Sequence, residues 1–270
     1  MNLVQRLFYI YIHGSIHVAL AVLSLVFLTN HTFGLEFDPA VSGFAFFGTV
    51  FGYNFIKYEE YLRLRQPFGN QPQTITVLSV FSLIAGAACF FLLGFKTQLT
   101  AALFGVLAVF YAVPISKRGN LRSLAGIKIY IVALCWGGVT VLMPLVNAGL
   151  YLGHDAWLKF AQRFLLVIIL ILIFEIIDIS EDDPLLETVP QQIGVKKTKL
   201  LNLFLLLLFY GVEFLKARVY PHYILVNTVI VLLVALFTIF ATPNRSKYYT
   251  LFWVESIPVF WYALVVVSSW

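Results

Sequence analysis

The chain has 270 residues, of which 61% are hydrophobic and only 11% charged, and its formal net charge is +5. A soluble domain has about 25% charged residues, so this composition excludes an ordinary soluble protein. The apolar residues come in runs of about twenty, the length of a helix that crosses a bilayer. We therefore expect an all-α integral membrane protein. Its basic residues are expected to set its orientation, and no nucleic-acid partner is expected.

Nine apolar segments, separated by polar or Pro- and Gly-containing breaks, predict nine transmembrane helices in a single polytopic membrane domain, residues 1–270. They cover about residues 11–30, 39–58, 74–95, 98–115, 124–147, 158–178, 199–216, 222–242 and 249–269. No small-residue cleavage site precedes Asn30, so we expect the first segment to be a retained span rather than a signal peptide. His13 and His17 in it have a metal-binding spacing, but no third ligand is evident.

The Lys and Arg residues are unevenly distributed between the two sides of the membrane. Thirteen of the 18 fall before the first span or in and around the loops that follow spans two, four, six and eight. Cytoplasmic loops carry an excess of Lys and Arg, so we expect the N-terminus and these loops to be cytoplasmic. The expected location is a bacterial inner membrane.

The end of the sixth segment is unusually acidic, since it holds six of the 13 acidic residues of the chain. Glu175, Asp178 and Asp182 lie at i, i+3 and i+7, so they share one face of a helix. Stacked carboxylates repel unless a cation lies among them, and oxygen ligands suit Mg²⁺. The alternative is a helix end that reaches solvent. That explains Glu181, but it explains Glu175 less well because this residue lies inside the apolar run.

The order of motifs along the chain resembles the UbiA superfamily of intramembrane prenyltransferases. The second acidic motif of that family is Asp-x-x-x-Asp, which Asp178 and Asp182 match. The family also has a basic pair after span four, matched by Lys117 and Arg118 in "FYAVPISKRG". The later "ETVPQQIG" resembles a threonine-containing stretch of the family. The resemblance covers essentially the whole chain and implies nine helices around a central cavity.

The first acidic motif departs from the family pattern Asn-Asp-x-x-Asp-x-x-x-Asp. Asn54 matches its asparagine, but the three aspartate positions are occupied by Phe55, Tyr58 and Leu62. In the family, two motifs hold two metal ions against one pyrophosphate. One motif is therefore retained and most of the other is lost. A lysine near the lost metal position, Lys57, could contact the pyrophosphate directly.

The resemblance implies a membrane-embedded prenyltransferase that moves a polyprenyl chain from its pyrophosphate to an acceptor, aromatic by analogy, as in quinone or lipid biosynthesis. The expected cofactor is Mg²⁺. The expected site comprises the metal ligands Asp178, Asp182, Glu175 and Asn54 and the catalytic pyrophosphate contacts Lys57, Lys117 and Arg118. We expect Asn54, Lys117 and Asp178 to line one cavity. The alternative for the three basic residues is that they anchor the spans at the membrane surface.

Two other functions are compatible with the sequence. The first is a non-catalytic isoprenoid- or lipid-binding membrane protein of the same fold, whose first metal site has decayed. The second is a transporter, which is less favoured because no inverted repeat is visible. Glu255, just before Pro258, is expected either to bond within a kinked region or to face the central cavity.

Overall fold

The computed structural model describes residues 2–63, 73–113, 126–182 and 186–269, but not the side chains of residues 58–63. These ranges are predominantly helical and contain no β-strand. The twelve α-helices are α1 Leu3–His13, α2 Ile16–Phe33, α3 Pro39–Arg63, α4 Gln73–Leu92, α5 Phe95–Ala112, α6 Lys128–Gly137, α7 Met143–Asn147, α8 His154–Asp178, α9 Val189–Ile193, α10 Val195–Gly211, α11 Pro221–Phe240 and α12 Ile257–Ser268.

Three irregular helical turns lengthen the segments. A π-helical turn, Gly138–Leu142, joins α6 to α7, a 3₁₀ turn extends α10 to Leu215, and a second π-helical turn, Tyr249–Val254, leads towards α12. With these turns, eight segments of the described chain are long and apolar enough to cross a membrane. The expected span at 39–58 forms α3, which is not among those eight. The all-α membrane architecture is confirmed, whereas the count of nine is not.

The first predicted span, 11–30, is broken in the structure. Residue Ser15 has a φ of 62°, in the left-handed region, and separates α1 from α2. The turn is tight at Gly14, where a Cβ would lie 2.5 Å from the carbonyl oxygen of Ile10. The candidate span therefore begins at Ile16, and α1 is a separate helix.

Helix α8 lies at the centre of the bundle. Of its most apolar stretch, 67% of residues are buried inside the protein, against 17% for α4. α8 packs against α6 and α10, while α2 packs against α3 and α12. In lipid every backbone polar group must be satisfied within its own segment, so an apolar chain crosses as helices. The most buried of these helices carries the acidic motif at its end.

Candidate active site

A cavity of about 290 Å³ lies at the C-terminal end of α8. Three of its lining carboxylates come from the acidic motif, namely Glu175, Asp178 and Asp182, and a fourth is Glu255. We call it the acidic cavity. Lys128, at the start of α6, lines it as well. The structure therefore brings the acidic motif together as the i, i+3, i+7 spacing predicts.

Glu175 is engaged with protein groups at this cavity. Its Oε1 lies 3.1 Å from Nζ of Lys128, and its Oε2 accepts a hydrogen bond of 3.1 Å from the backbone N–H of Val189. A buried carboxylate needs such partners, because an unpaired charge in a low-dielectric interior is costly. Glu175 is thus the counter-ion of Lys128, and its expected role as a metal ligand stays a prediction.

Asp178 and Asp182 differ from Glu175 because their carboxylates have no hydrogen bond or ion pair within the part of the chain that the structure describes. The backbone N–H of Asp182 donates to the carbonyl oxygen of Asp178 at 2.9 Å, so the helical turn continues and both side chains reach the cavity. Two carboxylates of this kind fit one Mg²⁺ ion, which keeps waters or phosphate oxygens in the rest of its shell. Among the described residues, no group of three or more His, Cys, Asp and Glu side chains is placed to hold a metal.

A second lysine lies near this end of α8. Lys247 forms an ion pair with Glu181, and both side chains are more than half exposed. The hydrogen bond to Glu181 raises the pKa of Lys247, and the charges of Asp178 and Asp182 add to the effect. Lys247 therefore stays protonated beside the acidic cavity at neutral pH.

A second cavity, of about 250 Å³, shares walls with the acidic cavity. Both are lined by Tyr53, Tyr111, Val132 and Trp136. The rest of the second lining is almost entirely apolar, and we call it the apolar cavity. At the boundary, Nε1 of Trp136 donates a hydrogen bond of 2.8 Å to the hydroxyl of Tyr53. The acidic cavity and the apolar cavity therefore share a wall of aromatic side chains.

Asn54 lies elsewhere, and the expectation that it lines the cavity with Asp178 is wrong. It is fully buried and lines neither the acidic nor the apolar cavity. Its Oδ1 accepts from the hydroxyl of Ser15 at 2.8 Å, and its Nδ2 donates to the hydroxyl of Ser79 at 2.9 Å and the carbonyl of Gly14 at 3.2 Å. The amide is therefore satisfied by the junction between α1 and α2 and by Ser79 of α4. Its role as a metal ligand stays a prediction.

Lys57 lines the apolar cavity, not the acidic one. Its ammonium donates to the hydroxyl of Ser15 at 2.9 Å, the same hydroxyl that donates to Asn54. Asn54 and Lys57 lie one turn apart on α3, so together they hold the left-handed turn at Ser15. The expected contact of Lys57 with a pyrophosphate stays a prediction.

Lys117 and Arg118 fall within residues 114–125, outside the described chain, and the structure does not place them. His17 is placed, and both its ring nitrogens are used. Nδ1 lies 2.6 Å from the hydroxyl of Tyr11, and Nε2 lies 3.0 Å from the carbonyl oxygen of Phe252. These two contacts give His17 a structural role in the packing of the helices.

Lys128 is a cavity residue that we did not select from the sequence. The sequence does indicate a functional role for this lysine. It lies four residues inside the segment predicted at 124–147, where ionisable side chains are costly and usually functional. Glu255 faces the acidic cavity, the second of its two expected environments. Both residues belong to candidate spans, and Lys128 is the first residue of its span.

Comparisons with known proteins agree with this architecture. The apo structure of a UbiA homologue from Aeropyrum pernix K1 is similar, with a TM-score of 0.68 and 16% identity over 94% of this chain and 99% of that one. A UbiA homologue from Archaeoglobus fulgidus, bound to GPP and Mg²⁺, gives a TM-score of 0.59 and 14% identity over 95% of this chain and 99% of that one. No family model and no curated protein match the chain.

The resemblance seen in the motifs is therefore matched by a resemblance of the folded chain over nearly its whole length. At identities of 14–16%, such a likeness speaks for the fold. The protein is a multi-pass integral membrane protein with the fold of the UbiA homologues.

Proposed function

We propose that this protein is a membrane-embedded prenyltransferase that moves a polyprenyl chain from its pyrophosphate to an aromatic acceptor. One observation carries the proposal. A cavity with two unengaged carboxylates shares an aromatic wall with an apolar cavity, and a UbiA homologue of the same fold is bound to GPP and Mg²⁺. A prenyl diphosphate has these two parts, a highly charged head and an apolar chain.

The acidic cavity would take the head of the donor. Asp178 and Asp182 would hold Mg²⁺, which supplies Lewis-acid stabilisation of the diphosphate leaving group. Lys128 lines the same cavity and can share this work as a fixed positive charge. Lys117 and Arg118 are proposed as further contacts by their place in the sequence, and Lys57 as a contact on the side of the apolar cavity.

The apolar cavity would take the prenyl chain. Breaking the allylic C–O bond leaves positive charge on the chain and negative charge on the diphosphate. Aromatic faces attract a cation by their quadrupole, and Tyr53 and Trp136 stand where the two cavities meet. The acceptor would then form the new bond to the allylic carbon and lose a proton. The wall would shield the cation from water.

The orientation follows from the charge bias of the sequence. We propose that the acidic cavity opens towards the cytoplasm, in a bacterial inner membrane. The acidic motif ends the sixth predicted span, and the sequence in and around the loops after spans two, four, six and eight carries the excess of Lys and Arg. Water-soluble diphosphate released by transfer would then leave on the cytoplasmic side. The acceptor would arrive from the bilayer.

Binding of geranyl diphosphate to the purified protein tests the metal site, measured with Mg²⁺ and with EDTA. We expect tighter binding with Mg²⁺, and Asp178→Asn or Asp182→Asn should each remove that increment while leaving a folded protein. Glu181→Gln is the matched control, because this neighbouring carboxylate pairs with Lys247 and does not line the cavity. Affinity independent of metal in all four proteins would contradict the proposal.

A second candidate is a non-catalytic isoprenoid- or lipid-binding protein. The ion pair of Glu175 with Lys128 favours it, since the third carboxylate of the motif is occupied by a lysine and is not free to bind a metal. Transfer assays separate the two functions. Product formation with prenyl donors of several lengths and aromatic acceptors supports the enzyme. Mg²⁺-dependent binding without any transfer supports the binding protein.

A further inference from the structure

A third cavity, of about 270 Å³, lies near the other end of α8. We call it the basic cavity. Its charged lining residues are Asp155, Lys159, Glu213, Lys216 and Arg218. Lys159 and Asp178 are 19 positions apart on one helix, which corresponds to about 28 Å along its axis. The basic cavity is thus separate from the acidic cavity and has no part in the proposed transfer reaction.

Lys159 is the central residue of the basic cavity. It is only 2% exposed, and its ammonium has no hydrogen bond or ion pair with any described residue. The ammonium lies over the ring of Trp261, with Nζ 5.0 Å from the ring centroid. A cation–π contact compensates part of the cost of burying a charge. An ammonium has three donors, so this lysine remains short of an anionic or hydrogen-bonding partner.

Arg163 lies one turn further along α8, on the same face, and it is also buried. Its Nη2 donates to the carbonyl oxygen of Leu25 at 3.3 Å and contacts the hydroxyl of Thr29 at 3.5 Å. Its Nε and Nη1 have no hydrogen-bond partner. Native proteins leave few buried donors unpaired, so two adjacent cations with free donors require an explanation.

Two carboxylates line the basic cavity, and both are engaged. Asp155 accepts a hydrogen bond of 3.0 Å from the backbone N–H of Ala217. Glu213 has three side-chain partners. Lys216 lies 2.6 Å from it, Gln162 donates to it at 3.0 Å and Asn227 donates to it at 2.8 Å. Lys216 and Glu213 therefore neutralise each other. The charged lining residues and Arg163 together comprise four cations and two carboxylates, so the cluster keeps a formal charge of +2.

We propose that the basic cavity binds a doubly charged phosphate group, either a monoester or inorganic phosphate, with Lys159 as its buried ligand. Such a group carries up to two negative charges, which matches the formal charge of +2 of the cluster, and its oxygens can accept several hydrogen bonds at once. Arg218, Tyr220 and Tyr223 also line the cavity and offer further donors. A carboxylate would supply only one charge.

The phosphate can come from a lipid headgroup or from solution. Exposed apolar side chains stand beside the cavity, including Phe214, Leu215 and Val219. Acyl chains of a lipid could lie along them while its phosphate enters. Free phosphate would need no such surface. The two sources share the same contacts to Lys159 and Arg218.

The test uses the purified full chain in detergent with EDTA, so that metal-dependent binding at the acidic cavity is suppressed. The probes are short-chain phosphatidic acid, inorganic phosphate and, for comparison, short-chain phosphatidylcholine. We expect phosphatidic acid to raise Tm, and Lys159→Met to weaken its Kd by about 10- to 100-fold, the loss for one charge-assisted hydrogen bond. Lys96→Met, an exposed lysine outside the cavity, and Asp178→Asn should leave the Kd unchanged.

The outcomes separate the sources and can overturn the proposal. A shift with phosphatidic acid alone identifies a lipid headgroup, and a shift with inorganic phosphate as well identifies a free phosphate site. The proposal would be overturned by equal shifts with phosphatidylcholine, whose phosphate diester carries only one negative charge. It would also be overturned by no shift with phosphatidic acid or inorganic phosphate, or by an unchanged Kd in Lys159→Met. If Lys159→Met does not fold, Arg218→Gln on the exposed rim serves instead and must also weaken binding.

Discussion

Lys128 and Glu175 form an ion pair that joins α6 to α8, with Nζ 3.1 Å from Oε1 and the carboxylate almost completely buried. The other oxygen of Glu175 accepts from the backbone of Val189, the first residue of α9. One carboxylate therefore ties three segments together at the edge of the acidic cavity. Its removal would affect both the fold and the charge of the site.

We expect Lys128→Met to destabilise the protein by about 2 kcal/mol, because it leaves Glu175 buried without its counter-ion. Glu175→Gln in the same chain should recover most of this loss, since the pair is then replaced by neutral groups. Unfolding of the two single variants and the double variant in detergent measures the coupling. Lys96→Met is the control for removing a lysine. Strictly additive effects would contradict the pairing.

The second prediction concerns Lys57. If its ammonium helps to neutralise the negative charge of a bound diphosphate, Lys57→Met should lower turnover by about 10²-fold. This is the scale of the loss of one preorganised electrostatic group. The lost hydrogen bond to Ser15 should also lower stability by about 1 kcal/mol. Transfer rates and unfolding measured on the same preparation separate the two effects. Full activity in a less stable protein would leave Lys57 with the structural role alone.

The third prediction concerns the length of the prenyl chain. Gly52 lines the apolar cavity, and a Cβ at this position would meet nothing within 4 Å. We expect Gly52→Leu to fill part of the cavity and to shorten the longest prenyl donor that is bound. Gly211→Leu is the matched control, because Gly211 is also helical and open but lines none of the three cavities. The measurement is the affinity of each variant for prenyl donors of increasing length. If Gly52→Leu leaves the longest bound donor unchanged, the prenyl chain does not bind in the apolar cavity.

The fourth prediction concerns pH. The hydrogen bond to Glu181 raises the pKa of Lys247 above its usual 10.5. A raised lysine pKa means that the pair contributes stability at neutral pH and loses it as the pH rises above that value. Both side chains are exposed, so Glu181→Gln should cost only about 0.2–1 kcal/mol at pH 7, and this difference should vanish in the alkaline range. Glu36→Gln, an exposed acid outside this cluster, should show no such pH dependence in thermal unfolding.

The acidic cavity could be predicted from sequence because its three motif carboxylates lie at the end of one helix and in the turn that follows it. The spacing of Glu175, Asp178 and Asp182 fixes their common face once α8 is helical. The position of Asn54 could not be predicted in this way. Its partners, Ser15 and Gly14, are 39 and 40 positions away, and the left-handed turn that presents them is not a feature of apolar runs.

The transmembrane spans also have features that could be predicted from the sequence and features that could not. Their apolar length predicts where helices cross, and most predicted segments correspond to observed ones. The break at Ser15 could not be predicted from hydropathy, because hydropathy is averaged over many residues and does not depend on the φ of a single residue. The pairing of Lys128 with Glu175 depends on how α6 packs on α8, which local pattern does not determine.

Helix α8 runs so that its C-terminal end points at the acidic cavity. Peptide dipoles add up to about half a unit of negative charge at a helix C-terminus. The carboxylates of Asp178 and Asp182 therefore stand in a field of their own sign, and Lys128 and Lys247 offset it only in part. A diphosphate entering this field would be repelled. Under the proposed function, a cation would therefore have to bind at Asp178 and Asp182 before the donor does, and the direction of the helix would set this order.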